Sequence, residues 1–172
     1  MMIKKALAII TLLVLISSII LASCGVKAGP ASANIKPSGT TTVRATWIEP
    51  EITGDSVAIS LSEVKKDRIV HFKISTATND ESYMAYEYGG VQYVRADICP
   101  PCLSESFSLV KNTLVCDTCG TVFDAKTGAG ISGACVRYPK APVVYQVSGD
   151  KMVMTVSNLE AAFQTTLIPK KP

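Results

Sequence analysis

Histidine is almost absent from this chain of 172 residues, with His71 the only one. Chemistry that passes protons between paired imidazoles is thereby excluded, and no clear base stands beside a nucleophile to suggest another enzyme. Excess charge is missing too. Lys4 and Lys5 fall in a segment expected to be removed, which leaves 15 basic against 14 acidic residues, so the chain has no electrostatic footprint for nucleic acid. The apolar run Ala6 to Leu21 spans 16 residues, which is short for a bilayer span. No βαβ alternation is visible, and the length leaves no room for a second full domain beside a tail or tether.

What the chain does have is cysteine. Cys99-Pro-Pro-Cys102 and Cys116-Asp-Thr-Cys119 are two C-x-x-C pairs 13 residues apart, and Cys135 follows 15 residues later. Each pair presents two thiolates from one tight turn, and two such turns supply the four soft ligands that zinc or an iron–sulfur cluster requires. Spacing alone does not separate the two metals. A dithiol redox pair and a pair of structural disulfides are the competing readings. The first expects a helix directly after Cys102, where Leu103-Ser-Glu-Ser-Phe107 is only a weak helix start, and it leaves the second pair unexplained. The second closes very small loops that constrain the unfolded chain little. Cys135 reads as a buried apolar thiol, a transient disulfide partner or an additional ligand.

The N-terminus is an address. Lys4 and Lys5, the apolar run and the ending Leu21-Ala-Ser-Cys24 form an export signal whose last residues resemble the lipobox of bacterial lipoproteins. The resemblance implies removal of residues 1–23 and lipidation of Cys24, which would hold the protein on the extracytoplasmic face of a bacterial membrane. Residues 24–45, rich in Gly, Pro, Ala, Ser and Thr, are expected to form a flexible tether.

Beyond the tether the pattern is β. Val57 to Leu61 reads as a strand followed by a turn or one helical turn at Ser62 to Asp67. Ile69 to Ser75 reads as a half-buried strand, with Val70, Phe72 and Ile74 inward and His71 on the solvated face. Tyr83 to Tyr88, Gly89-Gly90 and Val91 to Ala96 read as a hairpin that runs into Cys99. Thr113 to Val115 delivers Cys116 in the same way, Thr121 to Asp124 is a further strand, and Ser148-Gly-Asp-Lys151 turns a last hairpin. Ser157-Asn-Leu-Glu160 has the spacing of a capping box and opens a helix to about Gln164. One unit is expected over residues 46–165, with residues 166–172 as a tail.

The run Cys116-Asp-Thr-Cys-Gly-Thr-Val-Phe-Asp-Ala-Lys-Thr-Gly128, Gly133 and the hairpin Tyr145 to Val153 resemble the second half of a Rieske ferredoxin domain. Cysteine stands here where that family has histidine, at Cys119, and the first loop is one residue longer. With His71 the only imidazole, a two-histidine cluster cannot form within one chain. The two C-x-x-C pairs with Gly133-Ala-Cys135, the segment Val57 to Val64 and the tail through Leu159 are similar to the FtrD-like family of membrane iron–sulfur proteins. The resemblance implies a mainly β, Rieske-like small sandwich or barrel with a two-loop metal-binding subdomain and a short C-terminal helix. It also implies a cluster, [2Fe–2S] with Zn2+ as the alternative, on Cys99, Cys102, Cys116 and Cys119. By the Rieske arrangement Cys99 would share one iron with Cys116, and Cys102 the other with Cys119. The implied role is one-electron transfer beside a membrane redox or iron-transport complex. A zinc-stabilised ribbon-like module without redox chemistry is the rival.

Overall fold

The computed structural model describes residues 41–77 and 79–171. The export signal, Cys24 and nearly all of the expected tether lie outside the described residues. The chain is mainly β, with thirteen short strands and two helices among the described residues. No helix among them is long and apolar enough to cross a membrane.

Three sheets form. The first four strands are β1 (Thr42–Arg44), β2 (Thr46–Trp47), β3 (Glu51–Thr53) and β4 (Ser56–Ser60), after which helix α1 (Leu61–Asp67) leads to β5 (Ile69–Ser75), β6 (Asp80–Tyr88) and β7 (Val91–Ala96). Strands β8 (Phe107–Val110), β9 (Thr113–Cys116), β10 (Val122–Asp124) and β11 (Gly130–Ser132) then precede β12 (Gln146–Ser148), β13 (Lys151–Thr155) and helix α2 (Val156–Leu167). The sheet orders are β1-β8-β9-β10-β11, β12-β13-β4-β3 and β2-β5-β6-β7. All pairings are antiparallel except that of β2 with β5.

Several sequence expectations acquire a physical cause. Gly89 and Gly90 both have positive φ, 62° and 77°, the geometry of a type I′ turn, and Tyr88 pairs with Val91 across it. The segment after β4 is a full seven-residue helix because the Ser60 side chain accepts the Glu63 N–H. The last helix starts earlier than the capping box at Ser157 suggests. Thr155 Oγ1 accepts the Asn158 N–H at 3.1 Å, so the cap is Thr155. That helix also runs beyond Gln164, and Thr166 in the expected tail is buried, its hydroxyl accepting the Ala141 N–H. At the other end, Thr42–Arg44 of the expected tether pairs with residues 108–110 of β8. Polar composition had marked it as tether, but an edge strand needs backbone pairing more than apolar side chains.

The β2-β5-β6-β7 sheet feeds two cores. Val70, Phe72, Ile74, Tyr83, Ala85, Val94 and Ala96 join Val57, Ile59, Met152, Met154, Leu159 and Phe163 in the first. From the opposite face, Ile69, Met84 and Tyr86 join Phe107, Leu109, Leu114, Phe123 and three of the cysteines in the second.

Burial on both faces overturns the expected position of His71. Its side chain is 1% exposed, not solvated, with Nδ1 3.1 Å from Asp97 Oδ2 and the Trp47 ring edge-on at 5.1 Å. Alternation assigns the polar face of a strand to water only when nothing covers that face, and here the second core covers it. Burial pushes the His71 imidazole down to about 4 and the Asp97 carboxyl well above the usual range, so both favour their neutral forms.

A depressed imidazole pKa contributes stability that is whole above pH 6.5 and is lost as pH falls toward 4, because the unfolded chain binds the proton first. The full amount is on the order of 3 kcal/mol. Denaturant unfolding at pH 7 and pH 4.5 checks it. The wild type is expected to lose more stability than His71→Gln between those values, and equal losses would contradict the buried neutral imidazole.

Candidate metal centre

Two loops build the site, and they are the same turn. In the first, Cys99 N–H donates to Ser104 O at 2.8 Å and Leu103 N–H to Cys99 O at 2.8 Å. In the second, Cys116 N–H donates to Thr121 O at 2.9 Å and Gly120 N–H to Cys116 O at 2.9 Å. The fourth residue after each leading cysteine turns left-handed, at φ 56° for Leu103 and 69° for Gly120. Glycine takes this conformation freely, whereas leucine adopts it at a cost of about 1 kcal/mol or more. Pro100 and Pro101 suit the first turn because their missing N–H groups fall where it needs no donor.

Serine, threonine and aspartate side chains lock the loops together. Asp117 accepts from Ser106 Oγ and Ser108 Oγ, each at 2.6 Å, which ties the second loop to β8. Thr118 Oγ1 donates to Ser104 Oγ at 2.9 Å, from one loop to the other.

The four cysteines converge as expected. Their sulfur atoms all lie within 4.8 Å of one another, with Cys99 and Cys116 buried and Cys102 and Cys119 half-buried. Cys99 Sγ is 3.9 Å from Cys119 Sγ, and Cys102 Sγ is 3.7 Å from Cys116 Sγ. These contacts cross the order drawn from the Rieske arrangement, since two copies of one turn meet with the leading cysteine of each beside the trailing cysteine of the other. A tetrahedral ion with metal–sulfur bonds of about 2.3 Å has sulfur–sulfur edges of about 3.8 Å, so the donor set fits a thiolate-bound metal. No disulfide joins any of the described cysteines.

Cys135 lies beside this set. Its sulfur is 3.7 Å from Cys119 Sγ, and its N–H donates to Thr121 Oγ1 at 3.1 Å. Thr121 Oγ1 is also 3.2 Å from Cys119 Sγ, so one hydroxyl joins the Cys135 backbone to the Cys119 sulfur. Gly133 makes this approach possible: a Cβ there would come within 2.7 Å of Thr121 Cα and Oγ1.

Burial pushes the Cys99 and Cys116 thiols up. At Cys119 burial acts in the same direction, but hydrogen bonds from the Thr121 side chain and backbone, with those of Cys116 and Cys102, outweigh it and bring the thiol to about 6. Cys119 is therefore the thiol of these three that ionises most readily, and a metal binding here would have to ionise the buried pair as well.

Sequence reasoning missed two residues at the site. Thr121 had a signal, a hydroxyl two residues after a ligating cysteine. Lys140 had none, since it follows Tyr138-Pro139 in what reads as a surface loop. It is 1% exposed, with Nζ donating to Ile98 O and lying 5.0 Å and 4.5 Å from the Phe107 and Phe123 ring centroids. Burial holds its amine below the usual range, against the pull of Cys99 and Cys116.

The family described as "Membrane iron-sulfur containing protein FtrD-like" matches residues 64–165. No curated protein matches. Among solved structures, a chain of the "Complex of reduced oxygenase and oxidized ferredoxin in carbazole 1,9a-dioxygenase" is similar over 60% of this chain and 94% of its own, at 16% identity and a TM-score of 0.49. The family match takes in more than half of the chain and every cysteine from Cys99 to Cys135, so the chain belongs to the FtrD-like family of membrane iron–sulfur proteins.

Proposed function

We propose that the protein is an electron carrier tethered to the outer face of a bacterial membrane, with an iron–sulfur cluster on Cys99, Cys102, Cys116 and Cys119. One observation carries this reading: two matching loops bring four thiols within 4.8 Å. One thiol from each loop in each close pair is the division a [2Fe–2S] cluster uses, and such a cluster supplies one-electron transfer when bound. The protein's own residues fix the ligands, hold Cys119 ionised through Thr121 and keep water from Cys99 and Cys116. With four thiolates and no imidazole, the potential belongs near the roughly −400 mV of plant-type ferredoxins, not in the Rieske range. The donor or acceptor is a membrane redox or ferrous-iron transport complex.

A second reading has its own support. A spread of only 4.8 Å suits a single tetrahedral ion, whereas a binuclear cluster holds its two pairs of ligands further apart. Zinc there would make the chain a structural or binding module.

Metal analysis, acid-labile sulfide and EPR on anaerobically prepared protein decide between them. About two irons and two sulfides per chain, with an EPR signal on reduction, are expected. A colourless protein with zinc and no iron would sink the cluster.

Ligand assignment is checked by comparing Cys116→Ser with Cys135→Ser. The first should lose its metal, and the second should keep it, because Cys135 backs Cys119 instead of joining the four. Metal lost from both would make Cys135 a fifth ligand.

Anchoring is tested through Cys24→Ser in the full chain. The wild type is expected in the membrane fraction as a cleaved, acylated protein, and the variant should retain its signal segment unprocessed. An unacylated wild type with residues 1–23 still attached would replace the lipid anchor with a signal anchor.

A further inference from the structure

We propose that Lys140 is the resident counter-cation of the cysteine site, a buried ammonium whose charge is balanced by thiolates and by no carboxylate partner. This rests on the reading that the site holds a metal on ionised cysteines, and it holds for either metal.

Lys140 is an unusual residue to bury. Its side chain is 1% exposed, and removing an ammonium from water is costly unless an opposite charge answers it. The ion pairs among the described residues are His71–Asp97, Lys73–Glu105 and Lys151–Glu51, and none involves Lys140. Among the described residues its ammonium has one hydrogen bond, to the neutral carbonyl of Ile98, and the faces of Phe107 and Phe123 add only a weak attraction. Asp97 also acts on the amine, but its carboxylate faces His71 Nδ1 at 3.1 Å and forms no ion pair with Lys140. The remaining groups that act on the amine are Cys99, Cys116 and Cys135.

The position is fixed by the backbone. Lys140 N–H donates to Gly128 O, its carbonyl accepts from Arg95 Nη1 at 2.7 Å, and the next N–H is held by Thr166. A Cβ at Gly128 would meet Lys140 O at 2.2 Å, so the strap closes directly over this point. The carbonyl that Nζ grips belongs to the residue before Cys99, which puts the ammonium at the base of the first loop.

Charge balance explains why a cation belongs there. Four thiolates around one divalent ion carry a net charge of −2, and four thiolates on an oxidised [2Fe–2S] core carry the same. A methionine or leucine would fill the space without desolvation cost. Only an anionic site makes the ammonium worth keeping.

The test uses the full-length chain as wild type, Lys140→Met and Lys140→Arg, with zinc titrated against a chromophoric chelator. Lys140→Met is expected to bind zinc about ten-fold more weakly or worse, and Lys140→Arg to stay within about three-fold of the wild type. Thermal melting separates this from a packing role. Lys140→Met should melt below the wild type with metal bound and no lower than it once metal is chelated, because an unanswered ammonium only burdens the metal-free chain. Zinc affinity in Lys140→Met within two-fold of the wild type overturns the inference and leaves the metal reading standing. Absence of zinc binding and of bound iron in the wild type overturns both. If Lys140→Met does not fold, Lys140→Gln is held to the same criteria.

Discussion

Four sulfur atoms held within 4.8 Å of one another, in a group that could bind a metal, impose the constraint on which the rest of this half of the molecule depends. Thiolates at that distance repel strongly in a buried setting, and the chain arranges three separate answers. Tight turns with satisfied backbones hold the sulfurs where entropy and repulsion would scatter them. Thr121 gives the half-exposed Cys119 a hydroxyl partner. Lys140 places positive charge beneath the buried pair. Each comes from a different stretch of sequence, and the fold brings them to one point.

The matching turns show how far sequence reads a site and where it stops. Cys-x-x-Cys-Gly announces the second turn, since glycine at the left-handed position is what such a turn prefers. The first turn has the same hydrogen bonds with Leu103 in that position, so no residue signals its shape. Leu103 is held at φ 56° with its side chain 78% exposed, so burial of the side chain does not offset the strain. The cross-loop bonds do, from Ser104 through Thr118 and from Ser106 and Ser108 to Asp117.

Other features were legible for equally local reasons. Gly89-Gly90 fixes its hairpin through two positive φ angles, and the paired cysteines name the chemistry by spacing. His71, Lys140 and Thr155 were not legible. His71 and Lys140 look like surface residues because local pattern carries no knowledge of a second layer, and both are covered by the same core. Thr155 loses to Ser157 in a reading by motif, since capping depends on where the backbone leaves β13 and not on which hydroxyl precedes a glutamate.

The two cores are unlike in what they require. One is built from aliphatic and aromatic side chains of β4, α1, β5, β6, β7, β13 and α2, among others, and contains no cysteine. The other counts Cys99, Cys116 and Cys135 among its buried members, with Lys140 against two of its phenylalanines. Protonated thiols can serve that second core as small apolar groups, but the ammonium beside them then has no counter-charge. The metal-free half is thus compact yet electrostatically unfinished, while the other half is complete by itself. Strands β5 and β6 belong to both, His71 on one face and Phe72 on the other. That shared pair of strands joins the core that holds the cysteines to the core that holds none.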